Sequence, residues 1–381
     1  MADGGPLIYL IAGEQSGDVL GARLIRAIRS RRPDARIVGI GGAAMAAEGV
    51  QSLFPITDLA VMGFLEVLPR IRRLKALLRC AIEDVQARRP DVLVTIDSPG
   101  FTLRVLGALR DSGLKRAHYV APQVWAWREN RVKRYPGLWD QLLCLLPFEP
   151  AFFARHNLPA RFVGHPVLES DADKGNAERF RMQHGLAADA RILTVMPGSR
   201  HTEVSRLLPI LEKTLRLLPP DIVPVVPLAG PVAETVRQGA SGWPVEPILV
   251  ASAQGKFDAF AASTAALTKS GTSTLELAVA RVPMVVTYRI NPISHVAVKF
   301  LAKIQYASIL NLLLDGMVVP EFLQYDATPE RLAAAVRQLL DDPSAVAAQR
   351  AGFDKALTML RPLAGAPSGS AAEAVLSLLD G

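Results

Sequence analysis

From end to end the chain alternates short β-branched runs with longer segments of helical period. That alternation is the mark of βαβ units, and hence of parallel sheets with helices on their faces. In the first half the expected strands are Leu7 to Ala12, Arg36 to Ile40, Val92 to Ile96, Arg116 to Val120, Gln141 to Leu145 and Arg161 to Val163. A second series is expected at Arg191 to Met196, Val223 to Leu228, Val245 to Val250, Ala265 to Thr268 and Met284 to Tyr288. A length of 381 residues exceeds the roughly 250–300 that one hydrophobic core usually serves. The fold class expected is therefore α/β, with two Rossmann-like, doubly wound domains facing a cleft. Residues 1–165 form the first and 166–345 the second, with a polar linker from His165 to Asn176. The helices of 346–381 are expected to pack back toward the first domain. In such sheets ligands bind beyond the carboxyl ends of strands, so the loops after strands are where chemistry is sought.

Charge narrows the partners. Lys+Arg number 43 against 36 Asp+Glu, a net +7 that suits a nucleic acid, a phosphorylated substrate or an anionic membrane. One segment stands out. Val61, Met62, Phe64, Leu65, Leu68 and Ile71 lead into Arg70, Arg72, Arg73, Lys75 and Arg79, with no acidic residue after Glu66. An apolar wedge beside a basic helix face suits an anionic membrane surface; an ordinary amphipathic surface helix is the plainer alternative. Nucleic acid is disfavoured because aromatics do not interleave with the basic residues. The opening residues carry no basic leader, and no apolar run approaches the roughly 20 residues that span a bilayer, so a cytoplasmic protein is expected. Cys80 and Cys144 have no metal-binding spacing, which suits a reducing compartment and predicts two core residues.

Several post-strand loops carry polar groups. Gly13-Glu14-Gln15-Ser16-Gly17-Asp18 follows the first strand, either as an anion-binding turn or as a tight turn capped by Ser16 or Asp18. Gly39, Gly41 and Ala44 match a loose G-x-G-x-x-A and raise an NAD-dependent oxidoreductase, but this loop follows the second strand and the partner acid is missing. Asp97 ends the third strand, where a general base would stand; a helix cap is the alternative. Val124-Trp125-Ala126-Trp127-Arg128 holds two of the four tryptophans and offers a surface for sugar or acyl chains, or packing. In the second half Pro197-Gly198-Ser199-Arg200 and Lys269-Ser270-Gly271-Thr272-Ser273 both read as diphosphate sites, with a bidentate arginine and free amides, two ordinary capped helices being the plainer alternative. Asp171 and Asp173 sit in the polar linker and read as solvated, and neither a metal nor a cofactor is expected.

Beyond these loops, whole segments are distinctive: A-G-E-Q-S-G-D (12–18), L-A-V-M-G-F-L-E-V-L (59–68), V-W-A-W-R (124–128), L-P-F-E (146–149), F-V-G-H-P (162–166), P-G-S-R (197–200) and S-G-T-S-T-L-E (270–276). Together they resemble the lipid A disaccharide synthases over essentially the whole chain. One element departs: after Ile96-Asp97-Ser98-Pro99 the family commonly has Asp-Phe-Asn, and this chain has Gly100, Phe101 and Thr102. The resemblance implies a GT-B fold and inverting transfer of 2,3-diacylglucosamine from UDP to 2,3-diacylglucosamine 1-phosphate (lipid X), at the inner face of a membrane. For that chemistry the residues read above supply Asp97 as first candidate base with Glu14 second, and Ser16, Met62, Phe64, Leu65, Arg72 and Arg73 toward acceptor or membrane. For UDP they supply Arg200, Ser199, Gly271, Thr272 and Ser273 on the diphosphate, and the resemblance adds Glu276 at the ribose and Asn311 and Gln324 in the cleft lining. It leaves room for a homodimer. A GT-B-fold UDP-N-acetylglucosamine enzyme such as an epimerase stays open as the alternative.

Overall fold

The computed structural model describes residues 4–59, 64–127, 129–289 and 305–380, with the course of the backbone alone for 64–71. The chain divides into two compact units, Met1–Pro166 with Leu360–Gly381, and Val167–Met359.

In the first unit six parallel strands, β1 (Leu7–Ala12), β2 (Arg36–Ile40), β3 (Val92–Ile96), β4 (Lys115–Tyr119), β5 (Gln141–Cys144) and β6 (Ala160–Phe162), lie in the order β2-β1-β3-β4-β5-β6. β3 is buried along its whole length and β1 at all but its first residue; their unbroken apolar runs are what a strand covered on both faces requires. Helices α1 (Gln15–Arg31), α2 (Ala43–Ala47), α3 (Phe64–Arg88), α4 (Pro99–Ala108), α5 (Val124–Trp127) and α6 (Glu149–Ala154) connect them. α1 buries Leu24, Ile25 and Ile28 against one face of the sheet, each contributing roughly 1.5–3 kcal/mol. The final helix, Pro367–Leu376, packs on α1 through Ala371, Ala374 and Val375. Its small residues let the two helices approach closely.

The second unit repeats the plan with β7 (Arg191–Met196), β8 (Ile222–Pro227), β9 (Ile248–Val250), β10 (Ala265–Lys269), β11 (Met284–Tyr288) and β12 (Glu321–Leu323), ordered β12-β11-β10-β7-β8-β9. Its helices include α7 (Ala177–Gln183), α8 (His201–Arg216), α9 (Ala233–Ala240), α10 (Ala253–Ala262) and α11 (Ser273–Val279). In each sheet the chain order reverses once, between β1 and β3 and between β7 and β10. Those are the switch points where doubly wound sheets leave a crevice at their carboxyl edge.

Four expectations need correction. The helix Pro343–Met359 packs on Ile309–Leu314 and Pro329–Asp341 of the second unit, so only residues from Leu360 onward return to the first unit, instead of everything from 346. The strand expected at Val245 starts at Ile248, because Pro244 and Pro247 cannot donate to a ladder. β12 was not expected at all. Cys144 is buried but Cys80 is exposed on α3. Among the described residues no helix is long and apolar enough to cross a membrane.

Candidate functional site

At the first switch point the loops after β1 and β3 touch. A side chain added at Gly13 would lie 2.2 Å from the Cβ of Ser98, so only glycine permits this approach. Glu14 occupies the N-cap position of α1 in extended conformation and is half-buried, and Ser16 is exposed in the first turn. Asp97 and Ser98 are consecutive non-glycine residues in the left-handed region, at φ +52° and +47°. Such geometry costs of order 1–3 kcal/mol per residue and persists where surroundings enforce it. Here the enforcing group is Thr102, whose buried hydroxyl lies 2.7 Å from the carbonyl of Asp97 and 3.0 Å from that of Ser98. The half-buried Asp97 carboxylate accepts from the Ser98 amide at 2.7 Å. It is therefore aimed by a strained turn at the strand end.

Asp18 does not cap α1. Its carboxylate accepts from the backbone amides of Gly42 (2.7 Å), Ala44 (2.9 Å) and Met45 (3.0 Å). The start of α2, where the G-x-G-x-x-A pattern would have placed a dinucleotide phosphate, is filled by this buried side chain, which removes the physical basis of the oxidoreductase reading.

The two tryptophans of V-W-A-W separate in role. Trp125 donates to Glu149 at 3.1 Å and packs edge-on against Phe148. Glu149 also accepts from the amides of Leu145 and Leu146, and burial pushes its carboxyl up to about 7 against those hydrogen bonds. Trp127 is 39% exposed. Beneath the crevice His118 is fully buried, bonded to Thr95 at 2.8 Å and stacked on Trp139; burial pushes it down to about 4, so it is neutral.

At the second switch point Gly198 (φ +118°) turns the chain after β7 and Gly271 (φ +157°) turns it after β10. Ser199 is exposed, and Arg200 stands at the N-cap position of α8. The sequence reading missed the group that ties these loops together. Glu203, only 5% exposed, accepts from Lys269 Nζ at 3.2 Å and lies 3.5 Å from Arg200 Nη1. Lys269 Nζ also stands 5.7 Å from the centre of the Tyr288 ring. Two cations thus pivot on one buried carboxylate between two glycine turns. Thr272 is exposed, and Ser273 opens α11 with its hydroxyl turned back toward Thr268 and Lys269.

The remaining expected residues are placed differently. Glu276 is paired with Lys256 at 2.9 Å. Asn311 is fully buried; its amide donates to Val319 O and Glu321 and accepts from the amides of Val318 and Val319. It clamps its own loop. Gln324 adopts φ +54°, and its carbonyl accepts from Arg289. Val61 and Met62 lie outside the described residues, and Phe64 and Leu65 fall where the backbone alone is described. Arg72 and Arg73 are exposed on α3, with Arg73 paired to Asp58 at 2.8 Å. Asp171 and Asp173 are both exposed, Asp171 pairing with Lys174.

A family model described as Lipid-A-disaccharide synthetase matches residues 8–375. The chain is 52% identical over 379 residues to the lipid-A-disaccharide synthase of Gluconobacter oxydans, covering 99% of this chain and 91% of that one. Among solved structures it is similar to a UDP-GlcNAc 2-epimerase from Neisseria meningitidis bound to UDP-GlcNAc, at TM-score 0.65 and 11% identity, covering 98% and 100% of the two chains. It is equally similar, at TM-score 0.65 and 17% identity over 98% and 99%, to the glycotransferase of kitacinnamycin. At these identities the structural likeness shows the GT-B fold alone.

Proposed function

The chain belongs to the lipid-A-disaccharide synthetase family of glycosyltransferases, and from that premise we propose that it joins UDP-2,3-diacylglucosamine to 2,3-diacylglucosamine 1-phosphate with inversion, releasing UDP. The observation that carries the reading is the cation pair at the second switch point. Arg200 and Lys269, pivoted on Glu203 beside two glycine turns, suit a diphosphate that gains charge as its bond to the sugar breaks. A guanidinium grips two oxygens at once, and an ammonium adds a point charge. The exposed Ser199 and the backbone at Gly271, Thr272 and Ser273 complete the donor side. Glu276 is assigned to the ribose by family likeness and would exchange its contact with Lys256 to reach it; Gln324 belongs to the same side.

At the first switch point Asp97 takes the proton of the acceptor hydroxyl as its oxygen attacks the anomeric carbon, and the electrons of the breaking bond pass to the UDP oxygen. Glu14 and Ser16, on the neighbouring loop, face the acceptor, with Glu14 the second candidate for base. A metal is not required in this scheme, because Arg200 and Lys269 supply the positive charge. The segment from Val61 to Arg79, with Met62, Phe64, Leu65, Arg72 and Arg73, is assigned to an anionic membrane surface that presents the acylated substrates.

Incubating the purified protein with the two acylated sugars and analysing products by mass and proton coupling tests the reading. A β-linked disaccharide with one UDP released per linkage is expected, at a rate EDTA leaves unchanged. Epimerised UDP-N-acetylglucosamine with no disaccharide would select the alternative enzyme. Asp97→Ala should lower turnover by 10²–10⁴ while UDP affinity stays within about twofold; turnover within tenfold of the unsubstituted protein would reject Asp97 as base.

A further inference from the structure

Beside the Asp97 turn, the first unit holds a cavity of about 600 Å³ lined by Pro99 and Gly100 and by residues of the stretches 122–127 and 131–138. Its floor is apolar: Leu103 on α4, Tyr135 and Leu138, the last two nearly fully buried. Trp127 supplies a half-open aromatic wall. Around this floor stand four arginines, Arg104 and Arg110 from α4 and the turn beyond it, Arg131 and Arg134 from the 3-10 helix Glu129–Arg134.

Elsewhere in the chain arginines have found carboxylates: Arg161 holds Glu373, Arg179 holds Asp258 and Arg191 holds Asp221. None of these four has an ion-pair partner among the described residues. Like charges gathered about one apolar hollow repel one another unless an anion joins them, and guanidiniums match the oxygens of a phosphate. A hollow that is apolar below and cationic at its rim suits a ligand that is acylated at one end and phosphorylated at the other. Since Pro99 and Gly100 directly follow Asp97 and Ser98, that ligand would stand next to the base.

We propose that this cavity is the acceptor subsite, with the arginines holding the acceptor's phosphate and Leu103, Trp127 and Tyr135 bearing on its acyl chains. This rests on the reading of Asp97 as the acceptor's base, but binding can be measured without turnover. The probes are short-chain 2,3-diacylglucosamine 1-phosphate and the same compound without phosphate, titrated by calorimetry and by tryptophan fluorescence with no donor present. We expect the phosphorylated probe to bind more tightly, and Arg131→Gln with Arg134→Gln to weaken it about tenfold or more, equivalent to about 1.4 kcal/mol. The dephosphorylated probe should be unaffected by the pair of substitutions, and the fluorescence response should be lost in Trp127→Phe. UDP affinity and thermal unfolding should be unchanged. If the substitutions instead reduce sedimentation with phosphatidylglycerol vesicles and leave probe affinity intact, the cluster reads a bilayer and the proposal is overturned. Equal weakening of both probes, or no weakening of either, would overturn it as well. Normal binding of the probe without any disaccharide formation would retain the subsite and sink the transfer reading.

Discussion

Replacing Thr102 by Val removes one hydroxyl and almost no volume, and it tests whether the strained turn at Asp97 is held from below. The hydroxyl serves the carbonyls of Asp97 and Ser98 at 2.7 and 3.0 Å. Losing it leaves a half-buried acceptor unsatisfied at about 1–3 kcal/mol. That matches the cost of keeping one non-glycine residue in the left-handed region, of order 1–3 kcal/mol, so the turn has a comparable gain to make by relaxing. A loss near 1–2 kcal/mol in a unit of this size lowers the melting temperature by about 2–8 °C. A relaxed turn that presents Asp97 a tenth of the time lowers kcat about tenfold, with UDP affinity unchanged. Thr102→Asn should recover most of the turnover, since a side-chain amide can donate to the same carbonyls. Differential scanning calorimetry and steady-state kinetics on the three proteins decide it. Full kcat in Thr102→Val together with a lowered melting temperature would show that the turn holds itself, and the reasoning would fail.

On the donor side, Arg200→Ala and Lys269→Ala should each weaken UDP binding about tenfold or more by calorimetry, with Arg200→Lys recovering only part because a point charge cannot reproduce the fork. Stability should respond to acid through His118 and His165, both held near pKa 4 by burial. Their folded values lie below the unfolded one near 6.5, so their contribution is present above pH 6.5 and lost as pH falls toward 4, by up to about 3 kcal/mol each. Glu149 runs the other way. Raised to about 7, it contributes below pH 4.5 and loses that as pH rises through 7; Glu149→Gln should flatten this slope in urea titrations between pH 5 and 8 while lowering stability at pH 5, because its amide meets donors on both sides. Polar replacement of Val61, Met62, Phe64, Leu65 and Leu68 should release the protein from anionic vesicles with cooperative unfolding intact, and salt alone should release it partly. Retained sedimentation or lost cooperativity would place those side chains in the interior.

Periodicity made both sheets legible, since a strand buried on both faces announces itself as an apolar run. It failed where the run was short or interrupted: β12 has three residues, and the prolines around Val245 silence half of an expected strand. Val120 looks like strand by composition, and its amide still donates to Leu143 O at 3.1 Å, yet it ends the strand by turning to φ +79°, which a β-branched residue adopts only under strong constraint. The polar loops could be found because strand ends in such sheets carry ligands, but their wiring could not. Lys269 meets Glu203 across 66 positions, and Asp18 reaches amides 24 to 27 residues away. Nothing in the local pattern marks such partners. Asn311, assigned to the cleft lining by family likeness, is wired just as invisibly, with its amide bonded to Val318, Val319 and Glu321.

Because every strand runs the same way in its sheet, the turns that lead back from helix to strand gather at the amino edges, opposite the switch points. Asp111, before β4, and Gly242, before β9, are exposed there at ordinary backbone angles, whereas Gly113 and Gly185, at φ +72° and +62°, would strain any side chain. These turns are natural handles. With the exposed Cys80 changed to serine and Cys144 left buried, a cysteine in place of Asp111 or Gly242 would give one exposed thiol for a fluorophore or a surface tether, one position in each unit, leaving the chemical edges undisturbed for single-molecule work.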